Sequence, residues 1–175
     1  MRKAVEEPGF LELVASNGRT PVFALVAALE VEVIDTVLGA KPDLDFRDPD
    51  GKNVLLVAAE GGHAMVVEKL VAAGAEVGAT DPGGRTALSY AALGGHVETA
   101  RVLIAGGAEV DVRDRNGATP LIYASVKGFY AVAKVLLENG ADAKATTRDG
   151  TSALALAKRK NAQRVVRLLR RHGAT

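Results

Sequence analysis

The residues of this chain with the most chemical potential are its three histidines. His63 and His96 are separated by an interval that recurs along the whole chain, and His172 lies near the end of the sequence. If that interval reflects stacked helices, the first two lie on the order of 10 Å apart, which is too far for a shared metal ion. We therefore predict no histidine metal site, and we interpret His63 and His96 as helix-start residues bonded to local backbone.

A run of aspartates resembles a calcium-binding loop in composition. Its members are Asp43, Asp45, Asp48 and Asp50. A calcium loop with its central glycine at Gly51 would require a first ligand at Phe46 and a closing glutamate at Val57, and neither side chain can serve. We interpret the run as a turn in which aspartate side chains accept hydrogen bonds from nearby amides.

The remaining catalytic repertoire is sparse. The sequence contains no cysteine, which excludes disulfides, thiolate metal sites and thiol catalysis. It also lacks the glycine-rich phosphate loop, the serine nucleophile elbow and the paired-histidine zinc motif. We therefore predict that the protein is not an enzyme, and that it uses no cofactor and no small-molecule substrate.

The composition is that of a folded protein. Hydrophobic residues make up 48% of the 175 residues and charged residues 25%, which excludes a disordered chain. Aromatic residues are only 4%, so the core must consist mainly of Ala, Val and Leu. No uncharged stretch approaches the roughly 18 residues of a membrane helix. We expect a soluble, monomeric, cytoplasmic protein, whereas secretion or a periplasmic location would require that a leader had been removed.

Self-similarity at one fixed interval, of about 33 residues, organises the chain. The interval separates the glycines that follow polar turns, and it also separates those that close each unit. They are Gly18, Gly51, Gly84, Gly117 and Gly150, and then Gly74, Gly107, Gly140 and Gly173. We predict five units, at residues 15–47, 48–80, 81–113, 114–146 and 147–175, preceded by a capping segment at residues 1–14.

The pattern of residues within each unit predicts two short helices. In residues 114–146, Thr119 is a suitable N-cap and Pro120 a suitable first helical residue, and the first helix should end near Lys127. The second should run from about Tyr130 to Glu138 before a glycine stop. Since one such pair cannot bury its own apolar face, neighbouring pairs must stack into an all-α solenoid.

These units resemble the ankyrin repeat family over residues 15–175. The resemblance rests on Thr119-Pro120-Leu121, Thr86-Ala87-Leu88, Gly62-His63, Gly95-His96 and the Gly-Ala pairs that begin at residues 74, 107 and 140. The sequence departs from the family signature at Ser89 and Ile122, where the signature has His, and in the terminal units at Leu29-Glu30, Lys41-Pro42 and Asn161-Ala162. The resemblance implies β-hairpin-like turns between the helix pairs. It also implies non-catalytic binding of a protein partner, as an adaptor or as an inhibitor or immunity-type protein of a partner enzyme.

A partner would contact the turn tips and the concave face, where structural demand on sequence is weakest. Tyr90 and Tyr123 lie one repeat apart on first helices, so they should stand side by side. Contact with a partner and packing between helices are equally good interpretations of both tyrosines. The predicted partner-binding residues are Asp50, Lys52, Arg85, Tyr90, Arg113, Arg115, Asn116, Tyr123 and Lys127.

The net charge of +1 conceals a strongly basic end. The unit at residues 147–175 has one acidic residue, Asp149, and its basic residues are Arg148, Lys158, Arg159, Lys160, Arg164, Arg167, Arg170 and Arg171. We interpret this unit as a solvated cap, with Arg164, Arg167 and Arg171 opposite the buried face of the last helix. The alternative is electrostatic docking onto nucleic acid or an anionic surface, although no aromatic residue interleaves these bases to stack on nucleotides.

Overall fold

The computed structural model of the protein describes residues 31–175 together with Thr20, Phe23 and Val26. The predicted capping segment at residues 1–14 and most of the unit at 15–47 lie outside the described residues. The helices of the described part are α1 (Val31–Gly39), α2 (Val54–Glu60), α3 (Ala64–Ala72), α4 (Ala87–Gly94), α5 (Val97–Ala105), α6 (Pro120–Lys127), α7 (Tyr130–Glu138), α8 (Ala153–Arg159) and α9 (Gln163–Arg171). From α2 onwards they form pairs, and each pair begins one repeat interval after the one before it.

The first helix of each pair begins at a polar cap. The side chain of Asn53, Thr86, Thr119 or Ser152 accepts a hydrogen bond from the backbone amide three residues later. This bond satisfies one of the amides that a helix start leaves without an intrahelical partner. Pro120 occupies the first helical position of α6, as the sequence predicted.

The pairs stack in two rows. The first helices α2, α4, α6 and α8 pack on one another in chain order, and α1, α3, α5, α7 and α9 form the second row. Each row buries a ladder of leucines that recur once in each of the four units from 48–80 to 147–175. The ladders are Leu55, Leu88, Leu121 and Leu154 in the first row, and Leu70, Leu103, Leu136 and Leu169 in the second, all at most 2% exposed. The structure is therefore an all-α repeat solenoid, as predicted.

Hairpin-like turns connect successive pairs. In the turn of the unit at 114–146, the amide of Asp114 donates to the carbonyl of Ala118 at 3.0 Å, and the amide of Gly117 donates to the carbonyl of Asp114 at 2.9 Å. The turns beginning at Asp48, Asp81 and Thr147 repeat this pattern. In the aspartate run, Asp43 Oδ1 accepts the amide of Asp45 at 2.9 Å, so the run forms turns bonded to local backbone, as predicted.

The imidazole of His96 bonds across the stack. Its Nε2 lies 3.1 Å from the carbonyl oxygen of Glu60 in the preceding unit. The expectation of a local backbone bond is therefore wrong for His96, because the helix pairs approach closely enough for the ring to reach the neighbouring unit.

Gly107 follows α5 with φ +90°, a conformation that disfavours residues with a side chain. A Cβ at this position would meet no atom within 4 Å. Gly107→Val should therefore lower the free energy of unfolding by about 1–2 kcal/mol through backbone strain alone. Thermal or urea unfolding followed by circular dichroism measures this change.

Gly78 supplies the matched control. A Cβ there also meets no atom within 4 Å, and the backbone is not left-handed. Gly78→Val should cost clearly less than Gly107→Val, and equal losses in the two variants would contradict the strain argument.

Candidate functional site

Asp81 and Asp114 each connect the hairpin tip of their own unit to the first helix of that unit. Asp114 Oδ1 accepts the amides of Asn116 and Ala118, each at 2.8 Å, while Oδ2 accepts the hydroxyl of Tyr123 at 2.6 Å. In the preceding unit Asp81 Oδ1 accepts the amide of Arg85 at 2.9 Å. The Oδ2 atom of Asp81 accepts the hydroxyl of Tyr90 at 2.8 Å. Each carboxylate thus holds its turn with one oxygen and α4 or α6 with the other.

Two cations cover the Tyr90 ring. Lys52 Nζ lies 4.7 Å and the Arg85 guanidinium carbon 4.8 Å from its centroid. Arg85 also pairs with Asp81 at 2.7 Å, and Lys52 pairs with Glu60 at 2.6 Å. Only 2% of Tyr90 is exposed, so it offers a partner almost no surface, whereas Arg85 above it remains partly exposed.

Burial and hydrogen bonding perturb the ionisation of this cluster. Burial, together with donation to Asp81 and Asp114, raises the pKa of Tyr90 and of Tyr123 well above the ordinary value. Burial opposes ionisation of Asp81 as well, but hydrogen bonds from the Arg85 amide, the Tyr90 hydroxyl and the Arg85 guanidinium outweigh it and lower the pKa of Asp81. The charge of Arg85 acts on both phenols, so the two pairs belong to one electrostatic cluster.

The side chain of Arg113 bonds backbone along the stack. Its Nη1 donates to the carbonyl of Thr146 at 2.6 Å, one repeat further on. Arg47 makes the equivalent contact with Thr80, also at 2.6 Å. Sequence reasoning grouped Arg113 with the contact residues without detecting this link.

Five predicted contact residues are exposed, namely Asp50, Arg113, Arg115, Asn116 and Lys127. The backbone of Arg115 is nevertheless fixed, because its amide donates to the carbonyl of Gly83 in the preceding turn at 2.9 Å. The structure therefore gathers Lys52, Arg85, Tyr90 and Tyr123 into the cluster behind the tips, and leaves Arg115 and Asn116 projecting from a tip.

The basic end contains an aromatic contact that sequence reasoning missed. The guanidinium of Arg164 lies 4.3 Å from the ring centroid of Tyr130, which is in the preceding unit. Tyr130, Arg164, Arg167 and Arg171 line a shallow pocket of about 170 Å³. The three arginines are exposed, as expected. The repeat register could have predicted this contact. Tyr130 starts α7 at the position that Gln163 occupies in α9, and Arg164 follows Gln163 directly.

The stacked helix pairs, the polar caps and the hairpin tips define a class of repeat protein. A family model described as ankyrin repeats (3 copies) matches residues 65–147 and residues 107–175. The chain therefore belongs to the ankyrin repeat family, whose members generally mediate protein–protein interaction. A search of curated proteins found no match to the chain.

Two further findings concern the described part of the chain. Over that part, none of the helices has the length and apolar character needed to cross a membrane. The same residues contain no cluster of three or more His, Cys, Asp or Glu side chains arranged to hold a metal ion.

The raised pKa values of Tyr90 and Tyr123 predict that their phenols stay protonated at a pH where a free tyrosine ionises. The Tyr130→Phe variant leaves only Tyr90 and Tyr123, and their ionisation should begin well above pH 10. Because the folded pKa lies above the unfolded one, the associated stability is present below about pH 10 and is lost as the pH rises further. Ultraviolet absorbance of tyrosinate, with circular dichroism as the test of folding, measures this. Half-titration at about pH 10 in a folded chain would refute the cluster.

The two tyrosine hydroxyls should differ in their contribution to stability. Asp81 Oδ2 keeps Arg85 as a partner when the Tyr90 hydroxyl is removed, whereas Tyr123 makes the hydrogen bond at Asp114 Oδ2. Tyr123→Phe should therefore lower the free energy of unfolding by about 1–2 kcal/mol, and Tyr90→Phe by less. Urea unfolding of the two variants measures the difference. The reverse order would mean that Arg85 does not compensate at Asp81.

Proposed function

We propose that this chain is a non-catalytic module that binds a protein partner through its turn tips and concave face. The concave face here means the hairpin side of the first helices in units 48–80, 81–113 and 114–146. The observation that carries the proposal is the exposed Arg115 and Asn116 on a tip whose backbone is held by Asp114. A tip that is ordered before binding loses little conformational entropy when a partner docks.

Arg85 extends the proposed surface inwards from the tips. Its guanidinium is oriented by Asp81 and lies over the Tyr90 ring, yet it remains partly exposed. Arginine held in this manner can donate to a partner carboxylate or backbone carbonyl with little further ordering. In this proposal Tyr90 is a positioning residue for Arg85, and Tyr123 positions the Asp114 turn.

Two roles are consistent with such a surface. An adaptor tethers its partner and leaves the partner's activity unchanged, whereas an inhibitor or immunity-type protein covers the partner's active site. Measuring the partner's activity with and without the chain separates these roles.

An electrostatic role is the alternative. The basic unit at 147–175 would dock onto nucleic acid or an anionic surface, using Arg164, Arg167 and Arg171 around Tyr130. Among the described residues, none of the unit's basic side chains pairs with a carboxylate. A steep loss of binding as salt rises would favour this alternative, and so would loss of binding on changing the three arginines to Gln.

The main proposal is tested on a partner isolated by affinity capture and identified by mass spectrometry. Arg115→Ala should weaken its binding by about 2 kcal/mol, or roughly thirtyfold, in calorimetry. Asn116→Ala should weaken binding in the same direction. The control is Arg101→Ala on α5, since Arg101 is also exposed and its ion pair with the neighbouring Glu98 is a long one, at 3.7 Å. Unchanged affinity in the Arg115→Ala/Asn116→Ala double variant would overturn the proposed surface.

A further inference from the structure

The unit at 147–175 lacks the aspartate–tyrosine pair of its two predecessors. By the repeat register, Thr147 stands where Asp81 and Asp114 stand, and Leu156 stands where Tyr90 and Tyr123 stand. The Thr147 hydroxyl bonds within its own turn, to Asp149 and to the carbonyl of Thr151. No phenol spans the space between this turn and α8.

A groove occupies that space. Its volume is about 480 Å³, and it is lined by Leu156 on α8, by Thr147, Arg148 and Asp149 of the turn, by Arg159 at the end of α8, and by Asn116 of the preceding tip. The partly buried Leu156 gives it an apolar portion. Two arginines from separate elements, the turn and the helix, give it a positive rim.

The charges of the groove favour an anion. Over residues 31–175, neither Arg148 nor Arg159 lies at ion-pair distance from a carboxylate. Asp149, the acidic residue of the lining, is engaged within its turn, where its Oδ1 accepts the Thr147 hydroxyl and the Thr151 amide. Those hydrogen bonds lower the pKa of Asp149, so its negative charge is retained at neutral pH.

We propose that this groove is a subsite for an acidic segment of the protein partner, with a carboxylate between Arg148 and Arg159 and an apolar neighbour against Leu156. The inference rests on the proposed function and names the chemistry of the partner. Arg148 occupies the same tip position as Arg115, one repeat further on, so the groove continues the proposed binding surface.

A side-chain carboxylate fits this groove better than a phosphate. The attraction of the two arginines and the repulsion of Asp149 both scale with the charge of the anion, so charge alone does not separate a carboxylate from a phosphate dianion. The apolar contact at Leu156 does separate them, because an aliphatic side chain can follow the acidic one in a peptide.

The full chain, labelled with ¹⁵N, is titrated by NMR with a capped six-residue peptide that contains two carboxylates beside one leucine. Two further probes are titrated in parallel. One is a peptide in which the carboxylates are replaced by the corresponding amides, and the other is inorganic phosphate. We expect the acidic peptide to shift the amide signals of Thr147, Arg148 and Thr151, and the amide peptide to shift them far less. Arg148→Gln and Arg159→Gln should each weaken binding roughly threefold to fivefold, the range of a partly solvated charge contact.

Two variants make the test specific. Lys158→Gln removes an exposed cation from α8 that does not line the groove, and it should leave the peptide affinity unchanged within about twofold. The Thr147→Asp/Leu156→Tyr double variant restores the residues of the preceding units, so it should fill the groove and abolish peptide binding while thermal unfolding shows an intact fold.

The outcomes separate this inference from the proposed function. No response to the acidic peptide, a stronger response to phosphate, or shifts centred on Arg164 and Arg167 would each overturn the subsite. If Arg115→Ala still weakens binding of the captured partner in that case, the proposed surface at the tips is supported even though the subsite is not. If the peptide binds at the groove but the tip variants leave partner affinity unchanged, the proposed surface fails instead.

Discussion

Each helix pair of this protein depends on its neighbours to bury its leucines. Leu88 on α4 and Leu103 on α5 are fully buried, yet the two short helices that carry them cannot enclose both side chains alone. Burial therefore comes from the two rows of stacked helices, and the core is continuous along the array. This requirement explains the scarcity of aromatic residues, because alanines such as Ala91 and Ala124 allow adjacent layers to approach closely.

Once stacking has fixed the helices, the aspartates connect the core to the binding surface. One oxygen of Asp114 holds the turn amides and the other holds Tyr123 on α6. The tip therefore moves with the helix beneath it. An exposed residue such as Arg115 gains a defined position from the buried helix behind its turn, and repeat proteins can in this manner vary their contact residues without disturbing the fold.

Local signals made most of the fold predictable. The ends of α6 and α7 match the sequence prediction because Thr119, Pro120 and the glycines act within a few residues of the helix termini. Contacts between units were harder to predict from the sequence, because they depend on how neighbouring layers are offset. The stacking of Arg164 on Tyr130 and the reach of Arg113 to Thr146 are examples. The aspartate–tyrosine pairs were detectable in principle, because the same spacing between the two residues occurs in two consecutive units.

The links between neighbouring tips are unequal in stiffness. Between the turns at Asp48 and Asp81, the Arg47 side chain supplies a bond, while Pro82 stands where the next units have an amide donor. The turns at Asp114 and Thr147 are joined both by the Arg113 side chain and by the Arg148 amide, which donates to Asn116 at 2.7 Å. The turns at Asp81 and Asp114 are joined by one such bond, from the Arg115 amide to the Gly83 carbonyl. When thermal motion bends the array, curvature should concentrate at the two joints with fewer bonds. A partner that docks across the doubly linked joint therefore meets a surface of constant shape, whereas one that spans an earlier joint must follow a changing angle.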